Sequence, residues 1–477
     1  MNQQANPNDT YTSPLASRNA SREMLRIWSP RHKFDTWRRI WLAIAEAQHE
    51  VTKDRVTKDR DRPLVTAEQV AELKAVVDRG ITDAEIERAA EIEGELRHDV
   101  MSHVHCLGER CPKAKGIIHL GCTSQDVVCN ADLLNLTDAL RLVMTKTVRC
   151  LDALGRFGAE HASVPALGLT HYQPAQPTTV GRRAAGWAFD LHQAYQRAEH
   201  LHGLVRFRGL RGATGTQASF ISLFQGDTSA IDRLESRFTS VGGERDRPGD
   251  SEPYALTGQT YPRVVDTFIL ADLASIASVL HKIATDIRLL VGRKELDEPF
   301  GDKQIGSSAM PYKRNPMRCE RVCGLTRFVM NLVGNAYDTA ATQWLERTLD
   351  DSSNRRLSLP EAFLALDGAL DLMRNVAGGL VVHEATVRKN LMAELPFLAT
   401  ENILMEAVKA GGDRQDLHER LRVHAQEAGH RVKHLGEDND LIERIRGDEA
   451  FASIHHLLTE DALLDPMNYV GRAAEQT

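Results

Sequence analysis

Apolar residues recur along most of this chain at intervals of three and four, the spacing that gives a helix one water-avoiding face. From Asp35 to Glu50 the positions Trp37, Ile40, Trp41, Ile44 and Ala45 fall on such a face. Thr66 followed by Gln69, and Thr82 followed by Glu85, are capping-box spacings that predict the starts of two short helices. Another helix is expected over 95–107. Beyond Gly121 the periodic stretches lengthen, to about 126–162, 178–206, 260–296, 316–343 and 359–377. Such lengths exceed the usual helix of about 11–12 residues and predict a bundle whose helices span a whole domain. Apolar faces this long favour cover from other subunits, so an oligomer is expected.

The segments 163–177, 207–218, 240–258 and 297–315 break the pattern with Gly, Pro and polar side chains. In an all-α protein such loops, set on rigid helices, are where chemistry gathers. From 383 onward the helices shorten, with breaks at Gly411-Gly412 and Asp438-Asn439-Asp440. The expected architecture is all-α in three domains: 1–123, a central long-helix bundle over 124–382, and 383–477. Residues 1–20 read as loop, and the tandem VTKDR repeat at 51–60 as a helix end or loop.

Composition narrows the function. With 42% apolar and 26% charged residues in 477, disordered, collagenous and disulfide-scaffold classes are excluded. A net charge of −7 opposes general nucleic-acid binding, which draws on excess Lys and Arg. The cysteines (Cys106, Cys111, Cys122, Cys129, Cys150, Cys319 and Cys323) are odd in number and thinly spread, which favours reduced thiols and a cytoplasmic location. The polar N-terminus offers no apolar leader core. The most apolar stretch, Thr267 to Leu280, is interrupted by Asp272 and too short to span a bilayer, so no membrane association is expected. His98, His103 and His105 with Cys106 and Cys111 look like metal ligands, yet no second pair answers them and no metal is expected. Asp350-Asp351 lacks the second acidic motif of a prenyl-chain enzyme, and Lys409-Ala-Gly-Gly412 lacks the full phosphate-loop spacing.

The most informative string is Gln304-Ile-Gly-Ser-Ser-Ala-Met-Pro-Tyr-Lys-Arg-Asn-Pro316. Gly306 and two serines give a loop with free backbone amides, while Lys313, Arg314 and Asn315 add cations and an amide, together an anion site. On composition alone it is equally an ordinary surface loop. As a whole string it resembles the signature of the fumarase/aspartase superfamily, in the form found in animal-type adenylosuccinate lyases. Four kinds of block agree in order: Arg97-His98-Asp99 with His103-Val-His105; Leu120-Gly-Cys-Thr-Ser-Gln-Asp126; Gly168-Leu-Thr-His-Tyr-Gln-Pro-Ala-Gln176; and Thr257-Gly-Gln-Thr-Tyr261. A further block, Gln343 to Arg356, resembles the stretch that holds the nucleotide. The likeness runs over roughly 13–472. Asn19 stands where these animal enzymes usually have Tyr, and the 240–252 loop is longer than usual.

The resemblance implies β-elimination of fumarate from a succinyl nucleotide, without cofactor or metal. A base removes a proton beside a carboxylate, an acid protonates the departing nitrogen, and fixed cations stabilise the carbanion. It gives Ser307 the role of base and His171 that of acid, with His98 binding phosphate or tuning His171. A serine hydroxyl needs activation for this, which the turn amides and Lys313 would supply. Lys313 and Asn315 would hold the carboxylate. Arg18, Asn19, Arg97, Asp99, Thr123, Ser124, Gln259, Arg321, Arg347, Ser352 and Arg356 are the other substrate-binding positions. Arginine suits them because its planar fork pairs with phosphate and carboxylate. Read without the resemblance, Arg347 is an i,i+4 partner of Asp351, His98 a helix-surface residue and His171 a structural hydrogen bonder. The family implies a homotetramer with active sites shared among subunits. Two alternatives stay open: a superfamily lyase acting on argininosuccinate or a similar compound, and a catalytically silent structural relative.

Overall fold

Helices dominate the computed structural model, which describes residues 9–53, 63–242, 252–301 and 303–477. Most of the VTKDR repeat and of the 240–252 loop lies outside these residues. Both capping boxes form. The Thr66 hydroxyl accepts from the Gln69 amide at 3.3 Å, the Gln69 side chain accepts from the Thr66 amide at 3.0 Å, and Thr82 and Glu85 repeat the exchange. They open helices Ala67–Asp78 and Asp83–Leu96. The early apolar stripe becomes helix Pro30–Thr52, and the long periodic stretches become Ser124–Glu160, Val180–Leu204, Val264–Gly292, Met317–Ala341 and Asp350–Ala377.

The chain divides into two compact units. One takes residues to 147 with 193–280 and 324–371; the other takes 148–192, 281–323 and 372–477. The first is built round Trp37, Trp41, Leu107, Val127, Phe220 and Phe238, all buried in one cluster. Ion pairs lie within its interior, among them Arg38 with Glu85 at 3.2 Å and Arg208 with Asp126 at 2.5 Å. The second has its core among helices Glu384–Leu398, Thr400–Lys409 and Arg414–His430, on Leu395, Ile403, Leu417 and Phe451. None of the seven cysteines is joined in a disulfide, and six of them are buried.

Three local departures matter for the site. The helix expected over 95–107 begins at Asp99, because Arg97 turns left-handed (φ 55°) and ends the preceding helix, leaving His98 as N-cap. The 163–177 loop holds an antiparallel hairpin, Pro165–Thr170 with Gln173–Thr179. Its prolines are tolerated because a two-stranded sheet has only edge strands. Third, residues 15–19 form a π-helical turn rather than loop.

Helix Val264–Gly292 is longer than its apolar stretch and, by length and composition alone, long enough to cross a membrane. Yet 56% of its most apolar window is buried, and Asp272 along it binds Arg197 at 2.9 Å, the character of a core helix.

Candidate active site

In the first unit several helix starts converge on a cleft of about 750 Å³. It is lined by Arg97, His98, Asp99, Thr123, Ser124, Gln259, Arg347, Ser352 and Arg356, nine of the positions picked from the sequence. His98 is placed by its own capping role. Its Nδ1 accepts from the Met101 amide at 3.3 Å, so in the neutral ring the proton sits on Nε2, 3.5 Å from the Ser124 hydroxyl. Asp99 accepts from Arg356 at 3.1 Å.

Thr123 and Ser124 stand at the start of helix Ser124–Glu160, and Asp126 fixes them. Its carboxylate accepts from the Thr123 amide at 2.7 Å, half of a capping box, and from the Arg211 and Gly212 amides at 2.8 and 3.1 Å. Its partner Arg208 donates to the Gly258 carbonyl at 3.1 Å, beside Gln259. One buried ion pair thus ties together three segments around the cleft. Breaking such a pair leaves an uncompensated buried charge.

Gln259 accepts from Arg347 at 3.1 Å, and Arg347 reaches Asp351 at 3.5 Å. The expected Arg347–Asp351 pair therefore exists, though Arg347 lies in the loop before helix Asp350–Ala377. Ser352 and Arg356, four apart on that helix, face the cleft together. In its first turn the Ser352 amide donates to the Leu349 carbonyl at 3.1 Å.

Among the lining residues that escaped the sequence reading are Lys33, Asp132, Arg263 and Arg355. Arg355 bonds Asp266 at 2.6 Å and Asp132 at 3.2 Å, and Arg263 bonds Asp351 at 2.7 Å. Both guanidiniums stack on the buried Tyr261 ring. Adjacency was the available signal, since Arg263 follows the Gln259 block and Arg355 precedes Arg356.

Arg18 and Asn19 belong to the same unit without lining the cleft. Their turn is anchored where the Ser21 amide donates to Asp367 at 2.6 Å and the Asn19 carbonyl presses on Gly368. A Cβ on Gly368 would come 2.5 Å from that oxygen.

The remaining candidates belong to the second unit. Ser307 Oγ accepts from the amides of Ala309 and Met310 at 3.3 and 3.1 Å. The turn is closed by Asn315, which donates to the Gly306 carbonyl at 3.0 Å. A Cβ on Gly306 would meet the Lys313 carbonyl at 2.1 Å, so only glycine fits. Lys313 is exposed on this loop, and Arg321 is exposed on helix Met317–Ala341. His171 and Tyr172 form the two-residue turn of the hairpin, both with positive φ (54° and 58°) and both exposed. His171 is therefore a turn residue within the 163–177 segment. Tyr172, Arg182, Arg183 and Arg472 line a second cavity, of about 800 Å³.

His103, by contrast, is not at the cleft. It stacks on Phe34 at 3.8 Å, and burial with nearby Arg38 and Lys33 pulls its pKa down to about 4. Cys106 sits beside Arg38 and Glu85. Among the described residues no three His, Cys, Asp or Glu side chains are grouped to hold a metal ion.

Comparison with known proteins places the chain in a family. Residues 17–331 match the family model described as Lyase, and residues 396–477 that described as Adenylosuccinate lyase C-terminus. The chain is 47% identical to adenylosuccinate lyase of Saccharomyces cerevisiae, over 98% of this chain and 93% of the relative. Identity to the Schistosoma mansoni adenylosuccinate lyase is 45%, with the same two coverages of 98% and 93%. Among solved structures, the 3-carboxy-cis,cis-muconate lactonizing enzyme of Pseudomonas putida shares the fold, with TM-score 0.78 and 24% identity over 96% of this chain and 95% of that one. A full-length likeness at this identity, with the motif blocks in order, is decisive: the chain belongs to the adenylosuccinate lyase family of the fumarase/aspartase superfamily.

Proposed function

We propose that this chain eliminates fumarate from adenylosuccinate, giving AMP, and from SAICAR, giving AICAR, in purine nucleotide biosynthesis. The observation that carries the reading is the cationic cleft, with Arg347, Ser352 and Arg356 around the start of one helix and His98 at the start of another. A nucleotide phosphate brings about two negative charges and a succinyl group two more, and an acidic chain holds them only at concentrated positive groups.

In this reading Ser307 takes the proton from the carbon beside a succinyl carboxylate. The carbon–nitrogen bond breaks, its electrons pass to the leaving nitrogen, and the carbanion pair forms the fumarate double bond. His171 supplies the proton that the nitrogen needs. Two backbone N–H groups already point at the Ser307 oxygen, so they would stabilise its alkoxide, with Lys313 adding charge. Lys313 and Asn315 hold the activated carboxylate. Arg18, Asn19, Arg97, His98, Asp99, Thr123, Ser124, Gln259, Arg321, Arg347, Ser352 and Arg356 bind the rest of the substrate. The chain acts as a cytoplasmic homotetramer, its sites drawing on several subunits, and its sequence is organised as 1–123, 124–382 and 383–477.

The test is direct. Purified protein is incubated with each substrate, ultraviolet absorbance is followed, and AMP or AICAR and fumarate are quantified. Equimolar release supports the reaction; no turnover of either substrate overturns it.

A further inference from the structure

Lys33 lies in the first turns of helix Pro30–Thr52 and lines the same cleft as Arg356. Its ammonium rests over the ring of Trp37 at 4.8 Å and that of Phe34 at 5.2 Å. Apart from Arg97, the arginines of the cleft are each held by a carboxylate. Arg356 is held by Asp99, Arg355 by Asp132 and Asp266, and Arg263 and Arg347 by Asp351. Among the described residues no carboxylate reaches ion-pair distance of Lys33. Asp132, Asp99 and Glu93 act on it only from further away, while burial and Arg356 hold its pKa below the ordinary lysine value. A half-buried ammonium kept charged on aromatic faces has yet to meet its anion.

The surroundings select the anion. Ser352 and Ser353, in the first turn of helix Asp350–Ala377, line the cleft beside Arg356, and hydroxyl side chains with two cations suit a compact dianion. His103, stacked on the Phe34 ring below the ammonium, is neutral near pH 7 and adds no competing charge. We propose that Lys33 is a substrate-binding residue which, with Arg356, grips the phosphate of the nucleotide at the start of helix Asp350–Ala377. Because Lys33 breaks no ion pair to do so, its grip costs no desolvated partner. The proposal rests on the nucleotide-lyase reading above.

Lys33→Met keeps the stem on the aromatic floor and removes the charge, and Lys33→Arg restores a cation. For each variant, KM and kcat with adenylosuccinate, the inhibition constants of AMP and fumarate, and calorimetric AMP binding are measured, with thermal melting confirming the fold. The expected result for Lys33→Met is a loss of about tenfold or more in AMP affinity and a matching rise in KM. Fumarate inhibition stays within about twofold, and Lys33→Arg recovers most of the AMP affinity. Unchanged AMP binding in folded Lys33→Met overturns the proposal, as does weakened fumarate binding in place of AMP. If the unaltered chain binds AMP without turning over adenylosuccinate, the reaction fails while the calorimetry still decides the role of Lys33.

Discussion

At the scale of single residues, burial and the partners beside a group compete to set what each ionisable side chain does. His103 and Glu85 both belong to the first unit and titrate in separate windows. For Glu85, burial raises the pKa, but hydrogen bonds from Arg79 and Thr82 and the charge of Arg38 outweigh it and hold the carboxyl at about 2. Its stabilisation is full above 4.5 and is lost as pH falls towards 2. For His103 the fold favours the neutral ring, so unfolding takes up a proton once pH drops below 6.5. Stability is then full above 6.5 and declines until the folded ring itself protonates near 4. The slope is about 1.4 kcal/mol per pH unit, a total of about 3 kcal/mol. His103→Phe, which also removes a buried ring nitrogen without a partner, should flatten that stretch of the curve. Denaturant melts at pH 6.5, 5.5 and 4.5 measure it; an unchanged slope contradicts the assignment. The sequence made His103 a possible metal ligand because spacing does not report burial. It missed Lys33 for the same reason, since a lysine on a helical stripe looks like any solvated charge until Trp37 and Phe34 are seen under it.

At the scale of elements, helices were legible and turns were not. Capping boxes and apolar periodicity are local, so Thr66, Thr82 and the five long stretches could be read directly. The hairpin escaped because Pro174 and Pro177 argue against strand, and because His171-Tyr172 is not the Asn-Gly that a tight turn prefers. Two left-handed non-glycine residues in one turn store backbone strain of about 1 kcal/mol each, the mark of positions kept for their side chains. Tyr172→Gly is therefore predicted to raise stability by about 1 kcal/mol. A thermal melt checks this, and a lower midpoint would mean that Tyr172 packing outweighs its strain.

At the scale of the whole molecule, the sequence listed site residues without saying which of them share a surface. Nine line one cleft because three helix starts and two loops meet there, a long-range outcome that no window of sequence carries. Ser307, Lys313 and His171 belong to the other unit. On the shared-site reading, Ser307→Ala and His171→Ala are each inactive, yet mixing them with subunit exchange restores part of the rate through hybrid sites. No recovery after verified exchange contradicts sharing. The most direct test of the central claim is a crystal structure of the Ser307→Ala chain with adenylosuccinate bound. The account predicts an uncleaved succinyl group with its methylene against residue 307, its nitrogen near His171 and its phosphate at Arg356. A methylene lying well away from residue 307 in the occupied site would contradict it.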